Sequence, residues 1–138
     1  MCHKLAVPHG TLSRIKMKRL AMPKGGEAVA RLFYEYRLGL TEVPKPANLA
    51  SRGGVWFQSG TLKLHLGVEA DFHPAKKAHP ALLVDSIQAV STHLQEAGIA
   101  VITDEPLEGF YRVYVSDPFG NRLELLEVAP VPALPEQV

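Results

Sequence analysis

The chain has 138 residues, 46% of them apolar and 21% charged, with a formal net charge of +1. That length and composition suit one soluble domain with a sizeable core, and the near-zero charge gives no electrostatic basis for binding nucleic acid or an acidic membrane surface. Cys2 is the only cysteine, so no intrachain disulfide forms; no run approaches the roughly 20 apolar residues of a membrane span, and residues 1–14 lack the apolar stretch of a signal peptide, which together predict a cytoplasmic protein.

Residues 1–14 show no period and read as an N-terminal tail. Residues 15–22 predict a strand, broken at Gly25 and Gly26. Residues 27–38 predict a helix with Val29, Leu32, Phe33 and Tyr36 on its apolar face, closed by Gly39. Beyond Pro44 and Pro46 come a strand around 55–58, a turn at Ser59-Gly60-Thr61 and a strand over 62–68. In that last strand Leu62, Leu64, Leu66 and Val68 share one face, and Lys63, His65 and Gly67 share the other. Residues 69–78 read as a linker, with His73 exposed. Residues 79–84 predict a further strand. Ser86 caps a helix whose apolar face is Ile87, Val90, Leu94 and Ala97, ending at Gly98. Short strands follow at 100–103 and 111–115, then a turn at Asp117-Pro118-Phe119-Gly120. The strand 122–127 sets Leu123 and Leu125 opposite Arg122, Glu124 and Leu126. Pro130, Pro132 and Pro135 make 129–138 a tail.

The segments 15–68 and 79–128 repeat one another. Gly39 falls on Gly98 and His65 on Glu124 at an offset of 59 residues, and Met17 falls on His79 at an offset of 62. Trp56 and Tyr114 also occupy equivalent places. Each half reads as strand–helix–three strands, and one helix covers only one face of such a sheet. The expectation is an α+β fold of two paired βαβββ modules, forming a curved mixed sheet with helices outside and a concave cleft inside.

Alternation sends His65, His79 and Glu124 to the cleft face from three different strands. Two imidazoles and a carboxylate suit a divalent metal such as Fe, Mn, Ni or Zn, which acts as a Lewis acid on a substrate oxygen. Taken singly, each also reads as an ordinary surface residue, and Glu124 as an ion-pair partner of Arg112 or Arg122. Arg52, Arg112 and Arg122 are candidates for an anionic substrate group. Trp56 and Tyr114 are candidate aromatic lining, or packing. Cys2 is a poor nucleophile candidate.

Three stretches carry a resemblance. Arg31-Leu-Phe-Tyr-Glu-Tyr-Arg-Leu-Gly39, Ala78-His-Pro-Ala-Leu-Leu-Val84 and Asp117-Pro-Phe-Gly-Asn-Arg-Leu-Glu-Leu125 are similar to the vicinal-oxygen-chelate superfamily of glyoxalases, bleomycin-resistance proteins and extradiol dioxygenases, over about 15–128. The resemblance implies paired modules and a homodimer. It implies metal ligands at His79 and Glu124, and at His65, a position that glyoxalases often fill with glutamate. The first ligand position, expected to hold His or Gln, holds Met17, whose soft sulfur suits hard metals poorly. The dioxygenase pattern is thereby broken, whereas the glyoxalase pattern keeps three of its four positions. Lys18, on the core side, is a second irregularity of this strand. His3 or His9 would substitute only if the tail folded back. The implied function is a metal-dependent lyase, isomerase or ring-cleaving dioxygenase acting on a small molecule that chelates through vicinal oxygens. Glu124 would serve as the catalytic base, with Trp56, Arg112, Tyr114 and Arg122 at the substrate. The alternatives are a metal-free sequestering protein of the bleomycin-resistance kind and a structural dimer with a vestigial cleft.

Overall fold

A computed structural model describes residues 17–130. Readings that fall on Cys2, His3, His9, Ile15 and the prolines at 132 and 135 lie outside the described residues. The chain forms two four-stranded mixed sheets. The first contains β1 (Met17–Met22), β2 (Thr41–Val43), β3 (Val55–Ser59) and β4 (Leu62–Val68) in the order β1-β4-β3-β2. The second contains β5 (Ala81–Leu83), β6 (Ile102–Thr103), β7 (Phe110–Ser116) and β8 (Arg122–Val128) in the order β5-β8-β7-β6. In each sheet the first strand runs parallel to the last and the other pairs are antiparallel. This is an α+β fold of two βαβββ units.

Alternation explains the layering. Leu64 and Leu66 of β4 and Leu123 and Leu125 of β8 point to the helix-covered faces, where all four are fully buried. They belong to one apolar core that also takes in Met22, Phe57, Leu82, Val113 and Val115. Burying such side chains stabilises the fold by about 1.5–3 kcal/mol each. The helix α2 (Ile87–Glu96) packs on β7 and β8. Its N-cap, Ser86, accepts from Ala89 N through Oγ, as its sequence position predicts. Gly39 and Gly98 follow the two helices with φ of 78° and 79°, the left-handed conformation that closes a helix.

The first helix departs from expectation. An α-helical turn, α1 (Glu27–Arg31), passes into a π-helix over Leu32–Arg37. Of the predicted face Phe33 is buried as expected, whereas Val29, Leu32 and Tyr36 are 48%, 52% and 69% exposed, and Ala30 and Tyr34 are buried instead. The i→i+5 bonding of a π-helix shifts the phase on which a 3.6-residue pattern rests. It also brings Tyr34 to a buried partner rather than Tyr36 to the core. Two further differences are local. Thr41–Val43 pairs with β3, a strand too short for alternation to signal. The strand predicted at 79–84 is paired only over Ala81–Leu83, so His79 stands just before it.

A buried polar clamp joins the two units. Asp117, 5% exposed, accepts from the Tyr34 hydroxyl at 2.6 Å and from Asn121 Nδ2 at 2.9 Å through one oxygen. Its other oxygen accepts from the Phe119 and Asn121 amides. Asn121 is fully buried. Its second Nδ2 proton goes to the Ala21 carbonyl of β1 at 2.9 Å, and its Oδ1 accepts from Ala75 N at 2.8 Å. Every hydrogen-bonding group of the clamp side chains has a partner, which is the condition for burying them without a large desolvation cost.

Candidate functional site

Cross-strand register determines which side chains are neighbours on the face of each sheet turned away from the core. In the first sheet Arg19, His65, Trp56 and Val43 form one row across β1, β4, β3 and β2. In the second, Ala81, Glu124, Tyr114 and Ile102 form the matching row across β5, β8, β7 and β6. His65 and Glu124 thus hold equivalent places, and so, two residues ahead of Arg19 and Ala81, do Met17 and His79.

The polar cluster gathers on the second sheet. His79 is positioned by the segment before β5, which the clamp ties to the start of β8. Arg122 N donates to the Ala75 carbonyl at 2.7 Å, Lys76 Nζ to Gly120 O at 3.0 Å, and Glu124 N to Pro80 O at 3.0 Å. The His79 Nδ1 lies 2.8 Å from the Lys76 carbonyl oxygen. A carbonyl only accepts, so Nδ1 is the donor, which in the neutral ring leaves Nε2 as the accepting nitrogen. That Nε2 faces Glu124 Oε2 at 3.7 Å, with the two side chains only 15% and 13% exposed. The separation exceeds a hydrogen bond. Arg112 Nη1 donates to the other carboxylate oxygen of Glu124 at 3.1 Å, while Arg112 Nε donates to Glu105 O at 2.8 Å. The bond to Glu124 pushes the pKa of the guanidinium up despite the opposing effect of burial. Both Arg112 and Arg122 lie over the Tyr114 ring, 5.6 and 5.4 Å from its centre, in cation–π range. The His79 ring meets Tyr114 edge-on at 5.3 Å.

His65 lies on the other sheet. Its ring stacks on Trp56 with centroids 3.8 Å apart and planes 1° from parallel. Burial first, then the charges of Arg19, Lys63 and Lys45, holds its pKa below the ordinary histidine value. Of the candidate site residues, then, the second sheet brings together His79, Glu124, Arg112, Tyr114 and Arg122, and the first holds His65, Trp56 and, at its rim, Arg52. Met17 and His79 border one shared cavity at the edge of β1. His73 is exposed beside Asp71, as its linker position predicts.

His79 Nε2 and a Glu124 carboxylate oxygen 3.7 Å apart leave room for one cation at about 2 Å from each, and an Nδ1–H bond to a backbone carbonyl is the usual orientation of a ligating imidazole. His79 and Glu124 therefore fit as two ligands. Within one chain, no group of three or more His, Cys, Asp and Glu side chains is arranged to hold a metal among the described residues. No helix among those residues is long and apolar enough to cross a membrane.

Asp117, Asn121 and the Lys76 carbonyl are the working parts that sequence reasoning did not assign. Their signal was present in Asp117-Pro-Phe-Gly-Asn121, but a turn motif does not disclose that two of its polar residues are buried.

The family model of the Glyoxalase/Bleomycin resistance protein/Dioxygenase superfamily matches residues 16–125. No curated protein matches. Among solved structures, a glyoxalase family protein from Bacillus anthracis is 46% identical, with a TM-score of 0.80 over 83% of this chain and 94% of its own. A glyoxalase/dioxygenase from Nostoc punctiforme is 22% identical, with a TM-score of 0.71 over 94% of this chain and 100% of its own, a likeness of fold. A lactoylglutathione lyase from Agrobacterium tumefaciens is 25% identical, with a TM-score of 0.58 over 80% of this chain and 91% of its own. With the family model spanning both βαβββ units, the chain belongs to the glyoxalase/bleomycin resistance protein/dioxygenase superfamily.

Proposed function

We propose that this protein is a divalent-metal-dependent enzyme of the lyase, isomerase or ring-cleaving dioxygenase type, acting on a small molecule with vicinal oxygens. The observation that carries this reading is His79 Nε2 facing the Glu124 carboxylate at 3.7 Å, with the imidazole oriented by the Lys76 carbonyl. His79 and Glu124 would hold the metal together with His65. Because His65 is on the other sheet, a second copy of the chain would bring it, and the homodimer is part of this proposal. Leu83 and Val128, on the same sheet face as Glu124 and 67% and 64% exposed, supply apolar surface for such a partner. The bound metal would supply Lewis acidity toward the substrate oxygens.

The chain's own residues account for the rest of the chemistry. Glu124 is the base that accepts a proton from the substrate, and Arg112 orients its carboxylate through the bond to Oε1. The paired cations Arg112 and Arg122 stabilise negative charge as it develops on a substrate oxygen. Tyr114 and Trp56 offer aromatic surface to the substrate. A cytoplasmic location completes the reading and rests on the absence of any possible intrachain disulfide.

The test is the metal content of untagged protein measured by plasma mass spectrometry. About one equivalent per chain is expected in the wild type, with loss in His79→Ala and Glu124→Ala. Equal trace amounts in all three would overturn the proposal. A second reading, a metal-free binding protein, is favoured by Met17 at the first ligand position and by the cation already paired with Glu124.

A further inference from the structure

A further cavity, of about 420 Å³, lies at the seam between the two βαβββ units, on the core side of the second sheet and away from the cleft. Its floor is Leu40, Leu82 and Leu125, all buried. Leu82 and Leu125 are register partners on the face of the sheet opposite Glu124. Leu38 and Leu62 of the first unit and Val90 of α2 form the walls. The space exists because β5 is three residues long and stands at the edge of its sheet, while α2 packs over β7 and β8. The helix thus borders β5 without filling the gap to the first unit. The rim is polar, with Asp85, Ser59 and Ser86. No aromatic ring and no lysine, arginine or histidine lines the cavity. Asp85 is exposed and has no ion pair among the described residues. None of the residues proposed above as metal ligands or substrate contacts borders this space.

We propose that this cavity binds a straight-chain alkylammonium, whose chain lies along Leu40, Leu82 and Leu125 and whose head group meets Asp85. The volume falls within the roughly 300–1,000 Å³ of small-molecule pockets, which are mostly apolar with a few polar groups that fix orientation. Leucine and valine walls offer a planar ring no stacking partner and suit an aliphatic chain. A carboxylate at the rim with no cation of its own calls for a positive head group. An ammonium brings three donors, for which the Asp85 carboxylate and the Ser59 hydroxyl are acceptors. The site needs neither a metal nor a second copy, so it goes beyond the function proposed above and stands or falls separately.

The full-length protein, in EDTA, is titrated by isothermal calorimetry with butylammonium, hexylammonium and octylammonium. Octanol and octanoate serve as the same chain with a neutral and a negative head. One octylammonium per chain is expected to bind, with each added methylene tightening binding about fourfold. Octanol is expected to bind about fivefold more weakly, the most that an ion pair at an exposed site usually contributes, and octanoate more weakly still. Asp85→Asn should bring octylammonium down to the level of octanol. Ala89 borders the cavity from α2, and Ala89→Leu fills the space with a good helix former. This variant is expected to unfold no more easily than wild type and to weaken octylammonium at least about tenfold, the effect of roughly two methylenes no longer buried. No saturable binding in the wild type overturns the proposal, as does an affinity that fails to rise with chain length, or octanol or octanoate binding as tightly as octylammonium. These comparisons decide the matter even where a variant fails to fold. A folded Ala89→Leu or Asp85→Asn that binds octylammonium as tightly as wild type overturns it too.

Discussion

Replacing Asn121 by alanine tests the clamp that sets His79 beside Glu124. The side chain is fully buried and makes three hydrogen bonds, to Ala21 O, Asp117 Oδ2 and Ala75 N. The bond to the charged carboxylate is worth about 1.5–3 kcal/mol and each neutral one about 0.5–1.5 kcal/mol. The truncation also leaves the Ala75 amide and the Ala21 carbonyl without these partners. Together these losses predict a destabilisation of about 3–5 kcal/mol, a large fraction of the roughly 5–15 kcal/mol that holds a domain folded. In urea, at a slope of about 2 kcal/mol per molar, the midpoint should fall by about 2 M with the slope unchanged. Asn121→Asp sharpens the test. It keeps an acceptor for Ala75 N, removes both donors and sets a second carboxylate against Asp117, so at pH 7 it should be at least as damaging as alanine. The reasoning fails if Asn121→Ala costs under about 1 kcal/mol, or if Asn121→Asp behaves like wild type.

Two other predictions concern the same core. The Tyr34 phenol is held protonated well above its ordinary value by burial and then by the Asp117 charge and hydrogen bond. A raised folded-state pKa adds stability that is complete below the unfolded value of about 10 and is lost as pH rises above it, at about 1.4 kcal/mol per pH unit. Denaturant midpoints measured from pH 9 to 11.5 should therefore fall less steeply in Tyr34→Phe than in wild type, and equal slopes would count against the assignment. Ser86→Ala removes the N-cap acceptor of α2 and should cost about 1 kcal/mol in urea unfolding, with α2 the first segment to gain amide exchange.

The longer strands of both sheets were legible because alternation has a strict physical cause: successive side chains point to opposite faces, and one face of each sheet is buried; Thr41–Val43, too short to alternate, was not. Leu64, Leu66, Leu123 and Leu125 therefore declared the core, and His65 and Glu124 declared the opposite face. The internal repeat declared that His65 and Glu124 are equivalent, as are Met17 and His79. The first helix was misread in phase because its pattern assumes 3.6 residues per turn, and the π-helical segment obeys a different period. No local pattern could pair Tyr34 with Asp117, which are separated by 83 positions.

What the amino-acid sequence determined by itself, then, is the order of elements, the face on which each candidate residue stands, and the family. Only the tertiary structure decided which of those residues meet. His79 faces Glu124 because Asn121 and Asp117 clamp the segment before β5 onto β8, and His65 stacks on Trp56 because register on the other sheet places it there. Facing is a property of one strand and is encoded locally. Meeting depends on the packing of strands far apart in the chain, and that is set by the core and the buried clamp.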